Sequence, residues 1–404
     1  MAEAETACQV QVHISAEDRP GILAEILAVV AGKCWHVLDI KQFVFHGLLN
    51  LSLLLEKAEG GEVAPLSEAL TDHGARAKVG VRVFPWEPGL RPEVPYRHRS
   101  VVTLLGSAIP TPVLLDFTET LAGQDINILR IEQLDHGDKH VIELLIGTRE
   151  AHSSVDVLNA LVRFKESFQV DIAVQDDTLF RRNKRLIVFD ADMTFLQCEV
   201  IDELGKLAGV GPEMAVITHQ AMNGELDFRL ALKKRVGLLK GLSVNQLEEL
   251  AGRIPITPGA ENLVKILKHL GYKIAIVSGG FQFFIDKLTK KYGLDYGFAN
   301  QLEITGGQIS GRLTGRLIDA SVKKDILMDL AKKEGFSLRQ VVAVGDGAND
   351  IDMLAMAGLG IAFNAKPIVQ RHARASINQT SLELILYFLG INGKDLQELR
   401  EIVA

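Results

Sequence analysis

Cysteine is scarce. Cys8, Cys34 and Cys198 are the only three in 404 residues, too scattered for a disulfide framework or a zinc site. A reducing compartment suits such a chain. Long apolar runs are also missing, none approaching the roughly 18 uncharged residues of a membrane-crossing helix. The opening MAEAETACQV has neither the basic stretch nor the apolar centre of a secretion signal, so a cytoplasmic location is expected. Positive charge is not in excess: 44 Lys and Arg stand against 51 Asp and Glu, net −7, without long runs. No nucleic-acid or membrane partner is expected of that balance. Trp35 and Trp86 are too isolated to stack bases. What remains is ordinary for a folded protein, 47% hydrophobic and 24% charged, which excludes general disorder and repetitive filaments. The length exceeds one core and predicts two or three domains at about 150 residues each.

An internal repeat organises the first 180 residues. AGKCWHVLDIKQ opens at Ala31 and AGQDINILRIEQ at Ala122, an offset of 91 residues. Leu38, Ile40 and Gln42 recur as Leu129, Ile131 and Gln133, and Leu53-Leu54 as Leu144-Leu145. Each copy reads strand, helix, then two alternating strands. In the first, Val10, Val12 and Ile14 alternate. Asp18-Arg19-Pro20-Gly21 follows, and Ile22, Leu23, Ile26, Leu27 and Val30 recur at helical spacing.

Two such α+β units side by side resemble a tandem of ACT domains, small ferredoxin-like βαββαβ modules that bind amino acids and regulate metabolic enzymes. The resemblance implies a regulatory amino acid, serine first among candidates, near Asp18 and Gly21 at the helix N-terminus. It also implies a homodimer, because such modules commonly pair edge to edge. From the residues alone, Asp18 reads as an N-cap and Pro20 as a first-turn proline that need no ligand. The second copy has GSAIPTP in place of DRPG.

Beyond the mixed-charge stretch QDDTLFRRNKRL the pattern changes. LIVF (186–189), KIAIV (273–277), VVAV (341–344) and GIAF (360–363) are continuous apolar runs separated by long amphipathic segments. They predict an α/β core with a parallel sheet buried on both faces. Residues 200–265 read as helical throughout, a cap inserted after the first strand, and LEITGGQISGRL reads as a hairpin around Gly306-Gly307. The domains expected are 1–90, 91–180 and 181–404.

Polar residues cluster where each of these strands ends, the side on which open parallel sheets bind ligands. Asp190, Asp192, Thr194 and Glu199 follow the first strand, and Ser278-Gly279-Gly280 the second. Gly345-Asp346-Gly347-Ala348-Asn349-Asp350 follows the third; Asn364 and Lys366 follow the fourth. Crowded carboxylates repel unless a cation neutralises them, and Mg²⁺ held by one or two carboxylates together with substrate phosphate suits the set.

DxDxT, SGG and GDGAND, each after an apolar strand, resemble the haloacid dehalogenase superfamily. That resemblance implies a Rossmann-like core, Asp190 as nucleophile and Asp192 as general acid and base. It implies Thr194 and Ser278 at the hydroxyl positions, and Lys323 or Lys324 on the phosphate, Lys323 being favoured. Mg²⁺ would lie on the Asp190 carboxylate, the Asp192 carbonyl and Asp346, with Asp350 supporting the lysine and the metal's water. Glu199 nine residues after Asp190, and AMNGELDFRLALKKRVGLLKG, narrow the likeness to the phosphoserine phosphatases. In that family the glutamate meets a substrate ammonium and the arginine, here Arg235, its carboxylate, which a guanidinium grips with two hydrogen bonds. Met222, Phe228, Gly279 and Asn349 complete the implied substrate site, the substrate being phosphoserine on the path to serine.

Met193 stands where the family has serine, and strand-like alternation predicts that its side chain points away from the pocket. Glu199 alone would read as a solvated first-turn residue and Arg235, within KKR, as helix surface. Cys198 reads as a small packed side chain rather than a redox group. Two alternatives keep their place. One is a phosphatase of another small phosphomonoester or a phosphoprotein, and the other an amino-acid-sensing regulatory protein.

Overall fold

In the computed structural model the chain forms two compact units, Met1–Pro95 and Tyr96–Ala404. The residues described are 8–57, 62–86, 96, 98–149, 157, 161, 170–222 and 225–404, without the side chains of His136 and Met222. The expected boundary at 90–91 lies outside them.

The first unit runs β1 (Cys8–Glu17), α1 (Ile22–Gly32), β2 (His36–Phe45), β3 (Leu48–Lys57), α2 (Ala64–Ala77), β4 (Gly80–Trp86), with sheet order β2-β3-β1-β4. Period-two burial makes one face of that sheet: Val10, Val12 and Ile14 of β1 and Leu49, Leu51, Leu53 and Leu55 of β3 are buried. Ile22, Ile26 and Val30, one helical turn apart, close that core from α1. Gly21, not Asp18, is the N-cap of α1, and its φ of +98° requires glycine. Asp18 instead donates its backbone N–H to the Gly47 carbonyl.

The second unit begins with the same strand order. β5 (His98–Gly106), α3 (Thr111–Ala122), β6 (Asn127–His136), β7 (His140–Thr148) and β8 (Asp171–Asp176) give β8-β5-β7-β6. That is the β4-β1-β3-β2 order of the first unit, the topology the repeat predicts.

The sheet does not stop at β8. An antiparallel pairing of Ala173 with Ala375 in β15 (Ala375–Ile377) joins it to a parallel sheet, making eleven strands in all. Buried Asp171 reinforces the seam, accepting from Asn378 N and Nδ2 and from Gln379 Nε2, while Gln175 donates to the Phe388 carbonyl.

The central strands are β9 (Leu186–Phe189), β10 (Lys273–Phe281), β13 (Val341–Gly345) and β14 (Leu359–Phe363), all parallel in the order β10-β9-β13-β14-β15. β11 (Tyr296–Thr305) pairs with β10, and β12 (Gln308–Thr314) folds back on it through Gly306 and Gly307, both at positive φ. Helices cover both faces, so Leu186 and Val188 enter one core while Ile187 and Phe189 enter the other. Each such side chain contributes about 1.5–3 kcal/mol of burial. That is why these strands read as unbroken apolar runs.

Between β9 and β10 lie α4 (Val200–Leu207), α5 (Gly211–Met222), α6 (Phe228–Leu238), α7 (Val244–Arg253) and α8 (Ala260–His269). The last of these packs on β10 and on the C-terminal helix Gly393–Val403, so it belongs to the sheet's own cover. No described helix is long and apolar enough to cross a membrane.

Candidate active site

Asp190 sits where β9 ends, its backbone N–H donating to the Val344 carbonyl of β13. Its Oδ1 accepts from Ala191 N and from Lys323 Nζ, both at 2.7 Å. Lys323 lies in the first turn of α9 (Ala320–Lys333) and is completely buried. Its ammonium also donates to Asp350 Oδ1 at 2.7 Å, while Asp350 Oδ2 accepts from Gly347 N at 3.0 Å. Lys323, not Lys324, therefore occupies the centre. A Cβ on Gly345 would stand 2.5 Å from the Asp350 carboxyl carbon, so glycine there is what lets this aspartate fold inward.

After Asp190 the backbone turns sharply, with Met193 at φ +55°. The turn brings Asp192 back beneath α4: its Oδ1 accepts from Val200 N at 3.0 Å, and its Oδ2 lies 3.5 Å from the Ser278 hydroxyl. Strand alternation is lost, so Met193 lines the cavity and is 46% exposed, contrary to the orientation expected of it. Thr194, expected from the resemblance to meet substrate, is not among the residues that line the cavity. It is fully buried, and its hydroxyl donates to Asp346 Oδ1 at 3.1 Å, aligning that carboxylate.

β10 runs through the expected Ser278-Gly279-Gly280 turn to Phe281, with its pairing to β11 interrupted between Val277 and Phe281. The buried Ser278 Oγ accepts from Gly280 N at 2.8 Å. A Cβ on Gly280 would meet Asp192 Oδ2 at 2.9 Å, so the turn can approach the carboxylates only as glycine.

A cavity of about 380 Å³ opens over these groups, lined among others by Asp190, Asp192, Gly279, Asp346 and Asn349. Its other walls include Glu199 at the N-cap of α4 and Phe228 and Arg235 on α6. Phe228 and Arg235, seven residues apart, thus face the same space. The Arg235 Nε is buried without a hydrogen-bond partner among the described residues. Neither Glu199 nor Arg235 has a salt-bridge partner among them, so the cavity walls carry an anion and a cation not tied up in ion pairs. Lys366 and Asn364, beyond β14, also line it. Their place after the fourth strand is the sequence signal for them. The Met222 side chain lies outside the described residues.

Burial sets the electrostatics. It raises the Asp190 carboxyl well above its usual range, with the Asp350 charge adding, while Lys323 opposes. Burial and then Glu199 push Asp192 up to about 7; burial and then Asp350 push Asp346 up to about 6. Desolvation and then Asp202 raise Glu199, against the pull of Arg235. Burial alone would lower Lys323, but Asp190 and Asp350 overcome it and hold the ammonium charged. Cys198 is pushed up to about 11 by burial and the Asp192 charge, so it stays a thiol. Carboxylate oxygens of Asp190, Asp346 and Asp350 come within 4.8 Å of one another, close enough to share a cation.

Residues 184–358 match the haloacid dehalogenase-like hydrolase family, and residues 9–83 the ACT domain. A phosphoserine phosphatase of Streptomyces coelicolor is 36% identical over 386 residues, covering 96% of this chain and 93% of that protein. One from Mycobacterium tuberculosis is 35% identical over 393 residues, 96% of this chain and 94% of the other. The crystal structure of a probable phosphoserine phosphatase from Vibrio cholerae, unliganded, aligns with a TM-score of 0.57 at 33% identity. It covers 74% of this chain and 88% of that one. With an ACT domain at its N-terminus and the buried Asp190–Lys323–Asp350 centre in its parallel sheet, the chain belongs to the phosphoserine phosphatase family of the haloacid dehalogenase-like hydrolases.

Proposed function

We propose that this enzyme hydrolyses O-phospho-L-serine to L-serine and phosphate with Mg²⁺, through an aspartyl-phosphate, as the last step of serine formation. The observation that carries this reading is that Glu199 and Arg235, neither in a salt bridge among the described residues, line the same cavity as Asp190. A phosphomonoester needs only the aspartates and Lys323. A zwitterionic amino-acid head needs in addition one anion for its ammonium and one cation for its carboxylate.

Asp190, Asp346 and the Asp192 carbonyl would hold Mg²⁺, and the clustering of three carboxylates fits a hard dication better than it fits an empty site. When bound, the ion neutralises the crowded carboxylates and the phosphoryl charge. Lys323 ties down one oxygen of Asp190, and the other accepts no hydrogen bond among the described residues. That free carboxylate oxygen forms a bond to phosphorus as the bond from phosphorus to the seryl oxygen breaks, with Asp192 giving its proton to the departing oxygen. Water then attacks phosphorus and passes a proton to Asp192, and the acyl-phosphate bond breaks to restore Asp190. Ser278, Gly279 and Asn349 would meet the phosphoryl oxygens, with Met222 and Phe228 against the substrate. A group poised at about 7 suits both proton transfers of Asp192.

An amino-acid effector, serine in the first instance, and a homodimer belong to the same reading. The first rests on the ACT domain and the loop from Asp18 to Gly21. The second rests on β2, an edge strand exposed along its whole length that carries Val37, Ile40, Phe43 and Phe45. Phosphate release from L-phosphoserine, with Mg²⁺ and with EDTA, is the deciding assay. Turnover that EDTA leaves intact would remove the metal, and a preference for phosphoglycolate over phosphoserine would remove the substrate.

A further inference from the structure

We propose that a cationic cavity at the N-terminal end of the catalytic sheet is a second anion site, built for a hydrogen-phosphate group. Its volume is about 340 Å³, and its lining includes Gln175, Asp176, Arg181, Lys184, Arg339 and Arg374. All the elements that meet there belong to the second unit: the end of β8, the connection into β9, and the residues just before β13, β14 and β15. Lys184 and Asp190 bracket β9, so at about 3.3 Å per residue the two cavities lie on opposite ends of the sheet, roughly 20 Å apart.

Four cationic residues and one carboxylate are among those that line it. Asp176 is engaged by Arg374 at 3.2 Å. Lys184 is 4% exposed, and its ammonium donates at 2.7 Å to the neutral Arg339 carbonyl, with no carboxylate within salt-bridge range among the described residues. Arg181 is 5% exposed; it spends Nη2 on Glu143, but its Nε is buried and unpartnered among the described residues. Lys184 is thus a buried cation without an ion-pair partner among the described residues, which is costly, and a bound anion removes that cost. The ammonium's own equilibrium agrees: burial, then the charges of Arg374 and Arg181, push Lys184 down to about 8.

Gln175 narrows the chemistry. Its amide nitrogen donates to Phe388, while its buried Oε1 receives nothing among the described residues. An oxyanion that also carries a hydroxyl can take donors from Lys184, Arg181 and Arg374 and give one to Gln175. Hydrogen phosphate, free or on a small monoester, is such a group; sulfate and carboxylates are not.

The test follows thermal stability of the full-length enzyme against inorganic phosphate, sulfate and succinate, in the wild type, Arg374→Ala and Lys184→Met. Phosphate should stabilise the wild type most, and each substitution should weaken its apparent affinity at this site about tenfold or more, as loss of one charged hydrogen bond does. Both variants should keep wild-type turnover without added anion and the same competitive inhibition by phosphate, since the catalytic cavity is remote. Should Lys184→Met fail to fold, Arg374→Ala alone decides, its side chain being only half-buried. Equal phosphate stabilisation of wild type and Arg374→Ala, or sulfate matching phosphate, would overturn the proposal.

Discussion

Asp190 and Lys323 are buried against each other in a place where neither could stand alone. An uncompensated charge at such a site costs several kcal/mol, and the ion pair with the second carboxylate of Asp350 offsets it. Asp190→Asn keeps the shape and the Lys323 contact but removes the nucleophile. Turnover should fall at least about a thousandfold while the unfolding midpoint holds or rises. Circular dichroism melts and single-turnover assays check the two halves, and near-normal turnover would sink the assignment. Arg235 makes a sharper case, because its Nε has no hydrogen-bond partner to lose among the described residues. Arg235→Ala should raise KM for phosphoserine by about 10- to 100-fold, the worth of charged hydrogen bonds, and leave KM for an aryl phosphate that carries no carboxylate nearly unchanged. Equal losses on both substrates would count against a carboxylate contact.

At the level of elements, α6 brings Phe228, Leu232 and Arg235 to the cavity and is tied to the core by an ion pair. Arg229 donates to Asp319, which also caps α9 by accepting from Val322 N at 3.1 Å. The hydrogen bond from Arg229, helped by those from Ser321 and Val322, lowers the Asp319 carboxyl to about 2 against the opposing effect of burial. A carboxyl lowered on folding adds stability that is present above its unfolded value of about 4 and is lost as pH falls through about 2. Asp319→Ala should therefore lower the midpoint by about 1–3 °C at neutral pH, the worth of a helix cap in a chain this size. That gap should shrink as pH approaches 2 in parallel melts. A gap that persists unchanged at pH 2 would mean the loss is one of packing, not charge.

For the whole molecule, the carboxylates converge only because β9, β10 and β13 lie side by side with their carboxyl ends together. Burial, and after it their mutual repulsion, raises Asp190 and holds Asp346 near 6. A cation must displace those protons to bind. Apparent Mg²⁺ affinity should thus weaken as pH falls below about 6, by roughly tenfold per unit for one displaced proton. Mg²⁺-dependent stabilisation measured from pH 5 to 8 reads this directly, and Asp346→Asn should abolish most of it. An affinity that stays flat across the range would argue that the cluster is not the metal site.

Much of the molecule could be read from one chain of letters. Unbroken apolar runs such as LIVF and VVAV arise only where both faces of a strand are covered, so the parallel sheet was written locally, and so were the polar residues at each strand end. The recurrence of Leu38, Ile40 and Gln42 at Leu129, Ile131 and Gln133 carried the repeated topology. Other features depend on neighbours far away in sequence. Met193 turned toward the cavity because a positive φ broke the alternation that local pattern assumed. Thr194 was claimed by Asp346, more than 150 residues on. The joining of β8 to β15 rests on one backbone pairing and on Asp171, neither of which has a pattern of its own. Sequence determined the elements and the chemistry at their ends, because periodicity and turn residues act over a few positions. Tertiary structure decided which charges meet, which are left unpaired beside the cavities, and where one sheet continues into the next, because burial and electrostatics depend on what the whole fold brings near.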